Sequence, residues 1–491
     1  MLSLPYLSVL LWLPMVGALL LAFVPRNSHG AIRGLATVIF GIQVVLTALM
    51  WGQFDSSQGF QFVEKFDWIP AIGATYHLGV DGISFSLIVL AAVIGVIVAI
   101  TSYGIEHRVR DYFMFLLILQ TGVMGIFMAL DYVLFFVFWE VALVPMYFLI
   151  GIWGGEQREF AALKFFIYTM VGSVIMLVGF IALYILTGST TFNIVEMYSL
   201  APAMISPAAQ KAIFLALFLG FAVKVPVVPF HTWLPLAHVE APTPISVLLA
   251  AIMLKTGGYG FLRITHPTLP EAASSYAYLF GVLGVVAIVY GALTALAQRD
   301  FKRLVAYSSV AHMGYTVLGI GAGTQEGLMG AMFGMISHGV ISAMLFILVG
   351  VYYERTGTRD LHRLGGLFGP MPFAGSILAF AAFANLGLPG LSGFISEFFT
   401  LVGTFPVWRN LVYTALIGLV LTAAFNLVAL RRVLMGPTSA EHAQLPDLKG
   451  YEKVTLLPLA AFTILLGVYP MIMFRLFDIR LAELVALLAG S

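Results

Sequence analysis

The chain has 491 residues, 61% of them apolar and only 10% charged, with a formal net charge of +1 and no cysteine. That balance excludes a soluble globular fold and a basic nucleic-acid face, and the missing thiols exclude cysteine-ligated zinc, thiolate-held iron–sulfur clusters and disulfides. No glycine-rich nucleotide loop of either common kind is present, so any driving energy must reach the chain from elsewhere.

Apolar runs of about 20 residues recur from end to end, each enough to cross a hydrocarbon core of ~30 Å. In chain order, fourteen spans are predicted, at 4–24, 31–51, 83–103, 112–130, 132–153, 163–186, 210–230, 244–264, 276–297, 302–322, 327–353, 376–403, 411–434 and 454–477. The fourth and fifth touch, and Asp131 is taken as their division. The expected fold is an all-α polytopic membrane protein in which residues 1–491 form one transmembrane domain. The first run lacks a basic flank and is too long for a typical signal-peptide core, so it is read as a retained span. Strand signals are weak throughout, and solid apolar runs argue against a β-barrel.

Lys and Arg divide unevenly among the connections. Odd-numbered ones hold sixteen, from Arg26 and Arg33 through Arg158, Lys302 and Arg355 to Lys453, whereas even-numbered ones hold four, Lys65, Lys211, Arg263 and Arg409. By the positive-inside rule the odd connections face the cytoplasm and both termini the opposite side. Arg475 and Arg480, after the last span, run mildly against this.

Four charges lie well within the spans, away from their ends: Glu140, Lys224, Lys255 and Glu397. Placing one such residue at a helix centre costs ~3 kcal/mol on insertion scales. Two acids and two bases suggest mutual compensation, either as static ion pairs that join helices or as a proton relay. His312 and His338 also fall near mid-span, and histidine titrates nearest to neutral pH, which favours the relay. A charge pair at 4 Å and an effective dielectric of about 20 is worth ~4 kcal/mol. Carrying one charge against 100 mV costs about 2.3 kcal/mol, so opening such a pair is on the scale of moving a proton across an energised membrane.

Two spans should be broken. Pro226 and Pro229 follow Lys224 directly in span seven and each deletes a backbone donor; Gly387, Pro389, Gly390 and Gly393 interrupt span twelve just before Glu397. Unwound backbone at membrane depth survives only where it is buried or lines a wet cavity, and transporters place ion sites there. The breaks lie five spans apart. Spans four to eight (112–264) and nine to thirteen (276–434) therefore read as two five-helix repeats, the second inverted because five is odd.

The runs FWEVALVPMYFLIGIWGG, LKFFIYTMVGS, FAVKVPVVPFHTWLPLAHVEAPTPISVLLAAIMLKTGGYG, QRDFKRLVAYSSVAHMGY and LPGLSGFISEFF, with WIP and HLGVDGIS between spans two and three, resemble the subunit-4 type, or chain M, antiporter-like subunits of respiratory complex I. The resemblance covers essentially the whole chain, which ends soon after span fourteen without the long lateral helix expected of chain L. It implies fourteen helices with two inverted repeats in the membrane arm of proton-pumping NADH:quinone oxidoreductase. Glu140 would pair with Lys224, Lys255 would link the halves, and Glu397 would complete the relay, with His312 and His338 as intervening polar residues. His231 and His238 would serve access or interfacial packing. The chain itself would hold no cofactor or metal; NADH, FMN, Fe–S clusters and quinone would belong to partner subunits, and the antiporter-like chains L and N would flank it. The implied location is the bacterial inner membrane, multi-pass.

Other readings remain at this stage. A subunit of a multisubunit Na⁺/H⁺ antiporter resembles the same family, as does the photosynthetic relative that reduces plastoquinone from ferredoxin in the thylakoid membrane. A haem protein with His312 and His338 as axial ligands would need the two rings to face each other at haem spacing. A purely structural scaffold leaves the matched breaks and the embedded charges unexplained.

Overall fold

The structure, a computed structural model, describes residues 5–490. Leu4, the first residue of the first expected span, lies outside them. Helices α1 (Tyr6–Phe23) and α2 (His29–Trp51) open the chain, followed by α3 (Gly82–Thr101), α4 (Val109–Met128), α5 (Tyr132–Trp153) and α6 (Arg158–Thr187). Asp131 does divide the fourth and fifth spans: its carboxylate accepts from the amides of Val133 and Leu134 and so caps α5.

A short helix α7 (Ile194–Met204) leads to the first broken pair, α8 (Pro207–Lys224) and α9 (Leu234–Glu240). Then come α10 (Thr243–Thr268), α11 (Pro270–Leu296), α12 (Phe301–Ala322) and α13 (Gln325–Thr356). The second broken pair is α14 (Pro372–Asn385) and α15 (Ser392–Thr404), followed by α16 (Arg409–Leu434), α17 (Gly450–Val468) and α18 (Met471–Ala489). Among the described residues, twelve helices are long and apolar enough to cross a membrane. Polar-headed α12 and the interrupted pair α14–α15 account for the other two of the fourteen expected spans. The chain is a multi-pass membrane protein.

Three expectations need correction. Strand signals read as weak conceal a hairpin, β1 (Gln61–Ile69) against β2 (Ala74–Val80), which turns through Pro70 and Gly73. Gly73 has φ of +71°, and a Cβ there would run into the Thr190 carbonyl, so only glycine fits. Span fourteen does not continue to 477: α17 stops at Val468, and α18 begins after Pro470. Pro470 lacks the N–H that would continue the ladder. Finally, Arg263, Lys302 and Arg355, counted among connections, are buried cations on helices.

The molecule is apolar on the outside. Along α6, Phe160, Leu163, Ile167, Val171, Val174 and Val178 are all exposed, as suits a lipid solvent. The apolar windows of α10 and α13 are instead entirely buried, so these two helices form the interior. Close approach depends on small residues. A Cβ on Gly257 of α10 would stand 2.6 Å from the Phe221 carbonyl of α8. The middle of α10 therefore passes directly beside the broken end of α8.

Candidate functional site

Lys224 closes α8, and its side chain is buried between two rings, with Nζ 5.1 Å from the centroid of Trp139 and 5.7 Å from that of Phe165. A desolvated ammonium over such faces is held by their quadrupoles. Helix α8 ends here because Pro226 cannot donate. The Ala222 carbonyl is taken by Val227 N instead, at 2.9 Å, and Trp233 Nε1 reaches back to the Val223 carbonyl at 2.9 Å. Pro229 extends the unwound stretch to residue 233.

Glu140 sits half-buried on α5, one residue after Trp139. Among the described residues it forms no ion pair within 4.0 Å, and its Oε1 has no hydrogen-bond partner. It acts on Lys224 through the Coulomb field alone. The direct pair that the resemblance implies is thus absent from this conformation.

Lys255 lies on α10, which is widened by π-helical turns at Leu249–Met253 and Phe261–Thr265. Such turns displace backbone carbonyls and recur at functional sites. The Lys255 ammonium donates to the Ala250 carbonyl and stands 2.7 Å from His338 Nδ1 on α13. The His338 ring is 5.7 Å from that of His312 on α12, centroid to centroid. His312 Nδ1 lies 3.5 Å from Glu397 Oε1 on α15. Four of the predicted residues thus form one file across four helices.

The second break makes room for its end. Gly387 and Gly390 adopt φ of +80° and +93°, with Pro389 between them. A Cβ on Gly387 would run into Glu397 Oε2. Glycine at 387 serves both the left-handed turn and the space for the carboxylate.

His238 of α9 is fully buried and stacked on Phe346, with ring centroids 4.5 Å apart and both nitrogens without a protein partner. It feels the charges of Lys302 and Lys255. His231, in the unwound stretch, is buried with its ring at 78° to that of Tyr290, centroids 5.2 Å apart. No direct contact joins Lys224 to Lys255 among the described residues. The rings of His312 and His338 are inclined at 35°, and their Nδ1 atoms turn to Glu397 and Lys255 rather than to a common point between them. Among the described residues no three His, Asp or Glu side chains gather to hold a metal ion.

Charge counting passed over three buried groups. Lys302, 5% exposed, donates to the Ala241 carbonyl. Arg263 pairs with Asp81 under Tyr259. Arg355 meets Glu452 at 2.6 Å. Each stands beside a polar break in the sequence, which is why it read as a loop charge; only the unexplained acids Asp81 and Glu452 near helix starts could have signalled partners.

Residues 129–422 match the family described as NADH:quinone oxidoreductase/Mrp antiporter, TM. The chain is 43% identical to NADH-quinone oxidoreductase subunit M of Rhodobacter capsulatus, over 98% of this chain and 96% of that protein. It is 39% identical to the subunit M of Rickettsia conorii, over 99% of each. Among solved structures it superposes on a chain of respiratory complex I from Thermus thermophilus with bound NADH, with TM-score 0.90 and 30% identity, covering 98% of this chain and 99% of that one.

Proposed function

The chain belongs to the NADH:quinone oxidoreductase/Mrp antiporter membrane family, and we propose that it moves protons through the membrane arm of NADH:quinone oxidoreductase by way of its buried file. The observation that carries this reading is the run Lys255, His338, His312, Glu397 at interior depth. Lys255 can hand a proton to His338 Nδ1 across 2.7 Å. An imidazole takes a proton on one nitrogen and releases one from the other. His312 then stands within reach of the Glu397 carboxylate, and water joins the wider step between the two rings.

Glu140 and Lys224 form the matching element in the first half, loaded and unloaded as their separation changes. A pair closing to about 4 Å gains ~4 kcal/mol at an effective dielectric of 20, enough to hold or eject a proton against ~100–200 mV at 2.3 kcal/mol per 100 mV. His231 and His238 serve access. Residues 112–264 and 276–434 act as the two inverted halves, each with one broken helix beside one embedded charge. Quinone reduction drives the cycle in partner subunits that carry NADH, FMN, Fe–S clusters and quinone, with chains L and N on either side. The membrane is the bacterial inner membrane, with both termini periplasmic.

The test is made on intact complex in proteoliposomes, with assembly checked by native gel. Glu140→Gln and Glu397→Gln are each expected to lower the protons moved per electron. Lys65→Ala and Arg409→Ala, at the ends of spans, are expected to leave the ratio alone. An assembled Glu397→Gln complex with the full ratio would refute the relay.

A further inference from the structure

A cavity of about 160 Å³ opens on the side of the even-numbered connections, between the loop before β1, the start of α3, the end of α10 and the C-terminal helix α18. Lys and Arg are scarce on that side, yet Arg263 and Arg480 both line this one cavity. Arg263 is 4% exposed. Its guanidinium rests over the ring of Phe60, with Cζ 4.8 Å from the centroid, and donates from Nη2 to Asp81 and from Nε to the Tyr259 hydroxyl at 3.2 Å. Nη1 has no hydrogen-bond partner among the described residues. Arg480 donates to Glu483 at 2.6 Å and to the Ser57 carbonyl at 3.1 Å, and its Nε is buried without a partner.

Two guanidinium groups with unused donors lining one cavity favour a phosphate, whose oxygens accept from planar N–H forks. The charge around them is balanced, because Asp81 and Glu483 line the same cavity. A bare anion would meet two carboxylates. The Glu483 side chain is more than half exposed, and its Oε1 takes no protein donor among the described residues, so it is placed to accept from a cation at the mouth. The remaining walls include Ile83, Leu262, Pro267, Leu484 and Leu487, all apolar. Depth agrees with a lipid headgroup. Lys255 is at the middle of α10, and Arg263 follows it by eight positions, about 12 Å along a helix. Half a hydrocarbon core is about 15 Å, which brings Arg263 near the level of the lipid phosphates.

We propose that this cavity binds the headgroup of a phospholipid that carries a primary ammonium, the phosphatidylethanolamine class. The phosphate lies between Arg263 and Arg480, the ammonium donates to Glu483, and the glycerol and first methylenes run along Leu484 and Leu487 toward the bilayer. A quaternary choline has no N–H to give Glu483, and an anionic glycerol headgroup offers it no cation. The bound lipid ties α18 to α3 and α10. None of these groups belongs to the proton file, so the site stands whether or not the relay does.

The test uses the intact complex in detergent, washed free of exchangeable lipid and incubated with phosphatidylethanolamine carrying a diazirine near the top of one acyl chain. After photolysis, peptide mass spectrometry is expected to find label in residues 260–268 or 480–489. Unlabelled phosphatidylethanolamine should compete about tenfold better than phosphatidylcholine or phosphatidylglycerol. Glu483→Gln, at an exposed position, is expected to remove most of the preference over the choline lipid, and Arg480→Gln to weaken labelling about tenfold. No label in these peptides, or equal competition by the three lipids, would overturn the site, as would labelling of both variants at the native level and with the native preference. Soluble glycerophosphoethanolamine competing as well as the whole lipid would show a free phosphate ester as the ligand and overturn the lipid. The competition series on the native complex decides the matter where a variant does not assemble.

Discussion

The Lys255 ammonium and the His338 imidazole meet at 2.7 Å between the two most interior helices, α10 and α13. The two stand 83 residues apart in the chain, so only tertiary packing brings them together. Lys255 is anchored by the Ala250 carbonyl one π-helical turn back, and His338 stands at the middle of a 32-residue helix. The contact joins the helix packed beside the first break to the residues that lead to the second.

Gly387→Ala is expected to damage the second break specifically. The new methyl meets both a φ of +80° and the Glu397 carboxylate. Left-handed backbone strain alone costs about 1–3 kcal/mol, and displacement of Glu397 from His312 should depress pumping further. Gly390→Ala, also at positive φ but with open space around its Cβ, is expected to lower thermal stability with a smaller effect on pumping. Equal effects on pumping from the two variants would contradict this.

Arg355 and Glu452 have side chains only 4% exposed and bind at 2.6 Å. Glu452→Ala leaves the buried guanidinium only the half-exposed Glu354 carboxylate at 3.5 Å and the Pro446 and Asp447 carbonyls, a loss somewhat below the roughly 3–5 kcal/mol of a fully orphaned buried charge. Lys65→Ala breaks a pair at 3.7 Å with Glu196 whose side chains are about half exposed, worth only ~0–1 kcal/mol. Thermal unfolding in detergent should separate the two variants widely, and assembly should suffer in the first alone.

His77 lies outside the membrane-spanning segments, on β2, where burial, and next the charge of Lys65, hold its pKa down from 6.5 to about 4. The unfolded hairpin therefore binds a proton that the docked hairpin refuses. Hairpin docking is complete above pH 6.5 and weakens as pH falls toward 4, by at most about 1.4 kcal/mol per unit. Solvent screening reduces that figure. Protection factors of residues 61–80, corrected for the slower intrinsic exchange at lower pH, should fall between about pH 6.5 and about pH 4, and His77→Asn should remove most of the change. A pH-independent hairpin would contradict the assignment.

Much of this architecture is legible in the sequence, because lipid allows only helices and closed barrels, and solid apolar runs of about 20 residues select helices. The breaks are legible as Pro226, Pro229 and Pro389, and Lys255 and Glu397 stand out because a charge in lipid demands a reason. Lys302, Arg263 and Arg355 do not stand out: each adjoins a polar run, and the positive-inside rule counts charges without asking whether they are buried. The hairpin escapes because it lies outside the bilayer, where apolar run length says nothing. Which embedded groups touch is set by tertiary packing, so the Lys255–His338 contact and the open Glu140–Lys224 pair could be found only in three dimensions.

Proton-to-electron stoichiometry in proteoliposomes of the intact complex carrying Lys255→Ala tests the central claim most directly. The account expects fewer protons per electron, with assembly intact and NADH oxidation by an artificial acceptor unchanged. An assembled Lys255→Ala complex with the native ratio would show that protons do not travel through this file.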